Sequence, residues 1–401
     1  MMTVYKYAIL PAITYAPEAW SITISKRAKS KLHQIQRSFF VFITRAYRTV
    51  SNEALSAIAG IMPLDQAMHL YKDIRAISRG QPTKAVISEL KKIEIPIKTR
   101  GIHPKDNHIR VDLSGTEGNV NVFIYTDGSK TENHVGASMV AVKNSTEIHV
   151  ETQRLNISRT VFQAELCGII MAVDWIQKQR QNTSSYAINP DSKAALLAIA
   201  NKHTTYPLAV ATRLKIIELR NSTSITFHWV EGHVGLKGNE RADYLAKIAA
   251  SYNTTVASDA VPINRGKQIL EEYYIKIWNA TYINSANASH TKLFIPTIFH
   301  RLSLPLWSNF ILTQFLTNHS SFRAYLHKMN KTPSPTCSCP EKAAQKARHV
   351  MTECSLFSSE RPEVLQILPP PLVLKCHINT VGVTSFLRNI FHSLQEQMKC
   401  N

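Results

Sequence analysis

The run HWVEGHVGLKGNERAD (residues 228–243) decides the fold of the segment around it. Its first residues are typical of a strand, and glycines on both sides of His233 predict a turn. Its last residues predict a helix that Asn239 caps and that carries Asp243. Because strand ends and helix starts gather at one edge of a helix-covered sheet, the run predicts that His233 and Asp243 lie at such an edge.

The elements before this run alternate in a regular order. Apolar runs predict strands at about residues 120–126, 135–142, 148–155, 186–188 and 225–230. Helical spacing of apolar residues predicts helices at about residues 160–179, 192–201, 208–219 and 239–250. The order β-β-β-α-β-α-α-β-α predicts an α/β fold, a mixed five-stranded sheet with flanking helices. A turn is expected at Asp127-Gly128-Ser129, directly after the first strand.

Four acidic residues occupy predicted strand ends and helix starts in this segment: Asp127, Glu165, Asp191 and Asp243. Singly, each has a plain structural explanation as a turn residue, a helix cap or a first-turn helix acid. Together they predict a metal site, because clustered carboxylates repel without a counter-charge and their hard oxygens suit Mg²⁺.

Two such ions about 4 Å apart can clamp the attacking and leaving oxygens of a phosphodiester. His233 changes protonation near neutral pH, so it is a candidate for passing a proton to the leaving oxygen or for loosening a metal. The five residues therefore predict a nuclease site with two Mg²⁺ ions, or Mn²⁺ in their place.

The charge of the chain also favours nucleic acid. The 401 residues carry a formal net charge of +19. Residues 1–100 hold 16 basic and 6 acidic side chains, residues 119–250 hold 14 and 11, and residues 251–401 hold 15 and 8. A central segment that keeps its acids between basic flanks is expected of a metal-dependent nuclease. Ordinary solvated lysines remain the alternative for the flanks.

Location follows from the cysteines and from the apolar runs. Six cysteines do not form the pattern of a secreted disulfide framework, so a reducing compartment is expected. Pro11, Pro17 and Glu18 interrupt the apolar N-terminus, which predicts neither a signal peptide nor a membrane span. The chain is expected to be intracellular, in cytoplasm or nucleus, with no membrane partner.

A second constellation lies near the C-terminus. Cys337, Cys339, His349 and Cys354 follow the pattern C-x-C-x9-H-x4-C. Three thiolates and one imidazole can hold Zn²⁺ tetrahedrally, so these are candidate ligands of a structural zinc ion. A basic segment braced in this way is expected to bind single-stranded RNA. Reduced surface cysteines with no metal are the alternative.

Composition divides the chain into four parts. Residues 1–100 are predicted to be helical, residues 101–118 to be a linker, residues 119–252 to form the α/β domain, and residues 265–401 to form a second helical region with the cysteine cluster at 337–354.

Four blocks of the central domain resemble type 1 ribonuclease H: IYTDGSK (124–130), FQAEL (162–166), PDSKAALLAI (190–199) and WVEGHVGLKGNERADYLAK (229–247). The resemblance implies a ribonuclease H-like fold and two-metal cleavage of the RNA strand of RNA–DNA hybrids. It also implies that the four acids are metal ligands and that His233 assists. Only 25 residues separate Glu165 from Asp191, which leaves no room for the basic protrusion with which some members grip hybrid.

The flanks resemble non-LTR retrotransposon reverse transcriptases. YAILPAITYAPEAW, QRSFFVFITRAYRT and LSAIAGIMPLD are similar to the segment after the polymerase core, and FRAYLHKMNKTPSPTCSCP with HVMTEC is similar to the C-terminal tail. No Asp-Asp pair occurs, so the acidic doublet of a polymerase is absent. The resemblance implies a C-terminal fragment of such a polyprotein.

Three functions remain open on these grounds. The first is an active ribonuclease H, the second a catalytically idle nucleic-acid-binding retroelement remnant, and the third a nuclease of related fold that acts on DNA, such as an integrase or transposase. The GHVGLKGNERAD segment favours the first.

Overall fold

The computed structural model describes residues 1–15, 25–85, 87–97, 108–114, 120–179, 185–220, 222–251, 261–305, 309–375 and 377–399. The chain divides into two compact units. The sheet unit is Ile74–Gln268, and the helical unit combines Met1–Asp73 with Ile269–Asn401. Most of the predicted linker (101–107 and 115–118) and the predicted ends of the α/β domain, residues 119 and 252, lie outside the described residues.

Five strands form the sheet of the sheet unit: β1 (Val122–Lys130), β2 (Val135–Lys143), β3 (Thr146–Leu155), β4 (Ser185–Pro190) and β5 (Ser224–Phe227). Their order is β3-β2-β1-β4-β5, with β3, β2 and β1 antiparallel and β1, β4 and β5 parallel. Four helices accompany them: α1 (Val161–Lys178), α2 (Lys193–Ala200), α3 (Pro207–Leu219) and α4 (Lys237–Ser251). The predicted mixed five-stranded sheet with flanking helices is confirmed.

Local sequence signals explain where the central helices start. Thr160 precedes α1 and accepts a hydrogen bond from the backbone N–H of Gln163, whose side chain accepts one from the backbone N–H of Thr160. This reciprocal capping box satisfies two of the amides that a helix start leaves unpaired. Ser192 caps α2 in the simpler way, through the backbone N–H of Ala195. Both caps fix the N-terminal ends of the helices, close in sequence to the candidate acids Glu165 and Asp191.

The core of the sheet unit lies between the sheet and α1. Fully buried apolar side chains from three strands and the helix meet there: Ile124, Met139, Leu166, Ile169 and Ile188. The central strands β1 and β4 are buried along almost their whole length, which explains why their sequences are near-continuous apolar runs.

The turn expected at Asp127-Gly128-Ser129 is a wrong prediction. Strand β1 continues to Lys130, which pairs with Val135, and the reversal lies at Thr131–His134. The antiparallel neighbour β2 sustains the strand after β4 has ended, since Thr126 is the last residue of β1 that pairs with β4. Asp127 is therefore the first residue beyond the parallel pairing.

The described part of the predicted linker, residues 108–114, runs beside β5. The backbone N–H of Asp112 donates to Phe227 O at 2.8 Å, and the backbone N–H of Trp229 donates to Asp112 O at 2.7 Å. These bonds cover part of the outer edge of β5, which would otherwise expose unpaired backbone groups.

In the part of the helical unit that the structure describes, apolar side chains cluster around Phe315 and Phe322 and around Tyr5, Leu55 and Trp278. The longer helices of this unit are Lys26–Thr44, Asn52–Ala59, Ile298–Ser303, Phe310–Thr317, Arg323–Lys328 and His377–Lys399. Two further helices, Leu64–Ser78 and Ile263–Asn284, each include residues of both units. Short helical turns occupy Met2–Val4, Tyr5–Ile9, Leu10–Ile13, Thr291–Leu293, His349–Glu353, Ser355–Phe357, Val364–Ile367 and Pro370–Val373, and one further turn, Ser88–Lys92, belongs to the sheet unit. The predicted helical character of both terminal regions is confirmed.

Among the residues that the structure describes, no helix is both long enough and apolar enough to cross a bilayer.

Candidate functional site

Three of the predicted acids meet at one edge of the sheet. Asp127 extends from β1, Glu165 from the second turn of α1, and Asp191 from the residue directly after β4. One carboxylate oxygen from each lies within 4.8 Å of the others. Asp127 and Glu165 are each 6% exposed, and Asp191 is half-buried. We call these three residues the acid cluster.

Asp243 lies close to the acid cluster but does not join it. It occupies the second turn of α4, and its charge raises the pKa of both Asp127 and Glu165. Its Oδ2 accepts a hydrogen bond from Lys247 Nζ at 2.6 Å, one helical turn further on. The structure thus brings three of the four predicted acids together and pairs the fourth with a lysine.

Close packing of α1 on β1 brings Glu165 to Asp127. A Cβ atom placed on Gly128 would lie 2.3 Å from the backbone nitrogen of Glu165 and 2.6 Å from the carbonyl carbon of Ala164. Both neighbours are backbone atoms, which cannot rotate away. Only glycine at this position lets the helix approach near enough for the carboxylates of Asp127 and Glu165 to meet.

Two side chains outside the predicted set of catalytic and metal-binding residues hold Asp191. Asn239 Nδ2 donates to Asp191 Oδ2 at 3.3 Å, and Trp229 Nε1 donates to the backbone oxygen of Asp191 at 2.8 Å. Lys193 Nζ lies 3.6 Å from the centre of the Trp229 ring. Asn239 was expected to cap α4, and that prediction is wrong: the helix starts at Lys237, and Asn239 points its amide at the acid cluster.

His233 lies in the turn between β5 and α4. It has a φ of +59°, an uncommon value for a residue other than glycine, and its side chain is exposed. Burial raises the pKa of the Asp191 carboxyl, and the nearby charge of His233 partly offsets that rise. A Cβ atom on the neighbouring Gly232 would lie 3.0 Å from Asp191 Oδ2, so the turn passes directly over the same carboxylate.

The acid cluster holds its protons unusually strongly. Burial, followed by the charges of Asp191 and Asp243, raises the pKa of Asp127 to about 7. Burial and the charge of Asp127 raise the pKa of Glu165 well above its usual range, and burial also raises that of Asp191. Glu165 Oε2 is buried with no hydrogen-bond partner. Ionised carboxylates repel one another in such a buried cluster, and this arrangement is typical of a site that binds a cation.

This proton affinity predicts how stability depends on pH without added divalent cations. A group whose pKa is higher in the folded than in the unfolded chain stabilises the fold below its unfolded pKa, and this contribution is lost as pH rises through the folded pKa. For Asp127 the window runs from about 3.8 to about 7. We expect the free energy of unfolding of the wild-type chain, relative to Asp127→Asn, to fall as pH rises across this window.

Thermal unfolding between pH 5 and pH 8 measures this difference. The buffers contain no chelator, so that any metal at the cysteine cluster is kept. Addition of Mg²⁺ is expected to restore stability most at pH 8, where the carboxylates are ionised. A wild-type chain that becomes more stable than Asp127→Asn as pH rises, without added metal, would contradict the prediction.

The second predicted constellation is also assembled, in the helical unit. Cys337, Cys339, His349 and Cys354 are all buried, and one ligand atom from each lies within 4.8 Å of the others. The Sγ atoms of Cys337 and Cys354 are 3.8 Å apart, and Cys339 Sγ lies 3.3 Å from His349 Nε2. All three cysteines are free thiols.

These separations match a tetrahedral zinc site. With Zn–S bonds of about 2.3 Å and Zn–N bonds of about 2.0 Å, tetrahedral geometry places two sulfurs about 3.8 Å apart and a sulfur and a nitrogen about 3.5 Å apart. Two nearby side chains lie against the ligands: Gln345 Nε2 is 3.5 Å from Cys337 Sγ, and Glu353 Oε2 is 3.6 Å from His349 Nδ1. A carboxylate beside the second nitrogen of a ligating histidine is common at zinc sites.

Comparisons with known proteins agree with the site in the sheet unit. The sequence model of the family described as RNase H matches residues 119–251. The chain is 31% identical over 143 residues to the ribonuclease H of Ruthia magnifica subsp. Calyptogena magnifica, a match that covers 32% of this chain and 94% of that protein. It is 28% identical over 145 residues to the ribonuclease H of Prosthecochloris aestuarii, which covers 33% of this chain and 97% of that protein.

A solved structure is also similar to part of the chain. It is the N-terminal RNase H domain of a Mycobacterium tuberculosis protein, fused to maltose-binding protein, with 25% sequence identity and a TM-score of 0.27. The match covers 33% of this chain and 94% of that chain.

Proposed function

Because the chain belongs to the ribonuclease H family through residues 119–251, we propose that it is a hydrolase that cleaves the RNA strand of RNA–DNA hybrids at the acid cluster. One observation carries the proposal. Carboxylate oxygens of the buried Asp127 and Glu165 and of the half-buried Asp191 converge within 4.8 Å at one edge of the sheet, inside the segment that matches the family.

The donor set fits divalent metal ions of the hard kind. Mg²⁺ and Mn²⁺ prefer oxygen ligands, and the acid cluster offers carboxylate oxygens alone, one of them buried and unpaired on Glu165. Asp127, Glu165 and Asp191 would hold the ions, joined by Asp243 when its carboxylate leaves Lys247. Bound ions would supply the charge that balances the cluster and would activate water for attack on the phosphodiester.

The protein's own groups have separate roles. Asn239 and Trp229 fix the carboxylate and the backbone of Asp191. Lys247 compensates Asp243 in the resting site. His233, in the turn that passes over Asp191, would donate a proton to the 3′ oxygen that leaves the cleaved strand; the closeness of Gly232 to Asp191 Oδ2 supports this role.

We expect His233→Ala to lower kcat for hybrid cleavage by about a hundredfold, in the range that positioned acid–base groups contribute. KM for the hybrid should change little, because the exposed imidazole acts on the leaving group. Steady-state kinetics with saturating Mg²⁺ measures the effect. Val234→Ala, at the exposed neighbouring position, is the matched control. Equal kcat for both variants would remove His233 from the reaction.

A digestion assay tests the proposed activity. The full chain is incubated with Mg²⁺ and a labelled duplex of about two helical turns in one of three forms: RNA–DNA hybrid, double-stranded RNA or double-stranded DNA. Cleavage of RNA only within the hybrid supports the proposal. Cleavage of double-stranded DNA would favour an integrase-like or transposase-like nuclease. Binding without cleavage in Mg²⁺ and in Mn²⁺ would favour the idle remnant.

We also propose that Cys337, Cys339, His349 and Cys354 hold a structural zinc ion. The proposal rests on four buried ligands at tetrahedral spacing. Burial raises the pKa of the Cys354 thiol to about 12 in the absence of a cation, so this side chain gains from a metal that stabilises its thiolate. A bound zinc ion would brace the segment from residue 329 to residue 363, which contains little regular structure.

We further propose that the two flanks derive from a non-LTR retrotransposon polyprotein, on the strength of the sequence resemblance at residues 1–100 and 265–401. Most of the two flanks, Met1–Asp73 and Ile269–Asn401, folds into one unit, which supports a shared origin. Their basic excess fits a role in holding hybrid or RNA, and binding of labelled RNA by the full chain against salt concentration would measure it.

A further inference from the structure

A short segment well before the family match belongs to the sheet unit. Residues Lys92–Ile97, which we call the strap, bond to the unit at both ends. The backbone N–H of Glu94 donates to Val261 O and that of Val261 donates to Lys92 O, both at 2.8 Å. The backbone N–H of Ile97 donates to Thr205 O at 3.1 Å. The strap is therefore part of the folded nuclease unit, although the family match starts only at residue 119.

The strap carries Glu94, whose carboxylate lies at the start of α1. Glu94 is 11% exposed, and its Oε1 lies 2.7 Å from Arg159 Nη2, in a side chain that is 2% exposed. Its Oε2 accepts a hydrogen bond from Gln163 Nε2 at 2.9 Å. One largely buried carboxylate thus joins the residue before the N-cap of α1 to a residue in its first turn.

The same two residues are held from other directions. The side-chain oxygen of Gln163 already accepts from the backbone N–H of Thr160 in the capping box, so its amide is fixed at both ends. Lys130, the last residue of β1, donates to the backbone oxygens of Arg159 and Ile157 at 2.6 and 3.0 Å. The first turn of α1 is clamped between the strap and the strand that carries Asp127.

This clamp matters because Glu165 follows Gln163 by two residues. The contact at Gly128 leaves no free space between β1 and the backbone of Glu165. Any rotation of the first turn about the helix axis therefore moves the Glu165 carboxylate relative to Asp127, and catalytic groups tolerate displacements of well under about 1 Å.

From this geometry we propose that Glu94 is a positioning residue of the nuclease: it holds the first turn of α1 through Arg159 and Gln163 and so sets the Glu165 carboxylate for metal. The catalytic role rests on the proposed function, whereas the metal-binding role does not. The working nuclease unit accordingly begins at the strap, not at the start of the family match.

The test uses the full chain with Glu94→Gln, which keeps the size of the side chain but turns a donor towards Arg159 or Gln163. We expect the affinity of the acid cluster for Mn²⁺, titrated by electron paramagnetic resonance at a temperature well below unfolding, to fall about tenfold, as is usual when a group that orients metal ligands is lost. Hydrogen exchange of the amides of residues 160–168 should become faster, and kcat should fall while KM for hybrid is kept.

Two further variants separate positioning from general stability. Glu94→Asp keeps the charge but shortens the side chain by one methylene, so it cannot reach Arg159 and Gln163 together, and it should show the same loss of Mn²⁺ affinity if Glu94→Gln fails to fold. Asp174→Asn removes the pair between Asp174 and Lys215 at the far end of α1 and should leave Mn²⁺ affinity unchanged.

Unchanged Mn²⁺ affinity and unchanged exchange at residues 160–168 in the Glu94 variants, even with a lowered unfolding temperature, would overturn the proposal. A wild-type chain that binds Mn²⁺ in a Glu94-dependent way but does not cut hybrid would keep the positioning role and reject the proposed function.

Discussion

Replacement of Asp127 by asparagine is expected to lower hybrid cleavage by about a thousandfold or more while the fold becomes no less stable. A thousandfold corresponds to about 4 kcal/mol of lost transition-state stabilisation, within the several kcal/mol that a metal-held charge supplies. The neutral amide keeps the shape of the side chain but weakens its hold on a divalent cation. Single-turnover cleavage of labelled hybrid in saturating Mg²⁺ measures the loss.

The substitution Asp127→Asn should lower cleavage activity but should not lower thermal stability. The introduced asparagine side chain would carry no charge beside Asp191 and Glu165, so it removes part of the repulsion within the acid cluster, including the contribution of Asp127 to the raised pKa of Glu165. Above about pH 7 and without added metal, Asp127→Asn should therefore unfold at the same or a higher temperature than the wild-type chain. A variant inactive through misfolding would show the reverse.

Asp174→Asn is the matched control for Asp127→Asn. It makes the same chemical change in the same unit, at a residue on α1 that pairs with Lys215 and lies outside the acid cluster. It should keep wild-type cleavage. Full activity of Asp127→Asn would remove the carboxylate cluster from the mechanism.

Periodicity and residue type were sufficient to predict the order of strands and helices. The three inner strands β1, β2 and β4 are mostly apolar and buried, and α1 and α2 start at side-chain caps, so local sequence and tertiary packing favour the same structure in these elements. The convergence of Asp127, Glu165 and Asp191 was predicted for a related reason. Strand ends and helix starts lie at the edge of a sheet, so acids at such positions are expected to come together there.

Features that depend on distant partners could not be predicted in this way. The length of β1 depends on how far β2 continues beside it, and Asn239 serves Asp191 rather than the end of its own helix. Glu94 contacts Arg159 and Gln163 across more than sixty positions of sequence, with no motif or period to indicate the contact. Nothing in the sequence around Glu94 distinguishes it from an ordinary surface acid.

Lys247 is an intermediate case. A lysine four residues after Asp243 on a predicted helix is a recognisable ion-pair signal, and it correctly indicates the pair seen in the structure. The catalytic interpretation of Asp243 competes with that pair for the same carboxylate. The sequence was therefore compatible with Asp243 as a metal ligand and with Asp243 as the partner of Lys247, and the structure shows the ion pair.

The second large effect is expected at the cysteine cluster, where Cys354→Ser should abolish stoichiometric zinc and unfold much of the helical unit. Structural zinc contributes about 10–16 kcal/mol in zinc-finger peptides, which equals or exceeds the whole free energy of unfolding of a typical domain, about 5–15 kcal/mol. Cys354 is fully buried in the apolar cluster that also contains Phe315 and Phe322, so loss of the metal would disrupt that packing.

Metal analysis by mass spectrometry and the circular dichroism of the full chain measure these two losses. RNA binding should weaken with them, because the basic residues of the C-terminal segment lose their fixed arrangement. Cleavage of hybrid should persist, since the acid cluster lies in the sheet unit with its own core. Cys167→Ser, at a buried free cysteine of that core, is the matched control and should keep one zinc ion per chain. A Cys354→Ser chain with full zinc content and unchanged circular dichroism would show that the four ligands, despite their tetrahedral spacing, do not hold the metal.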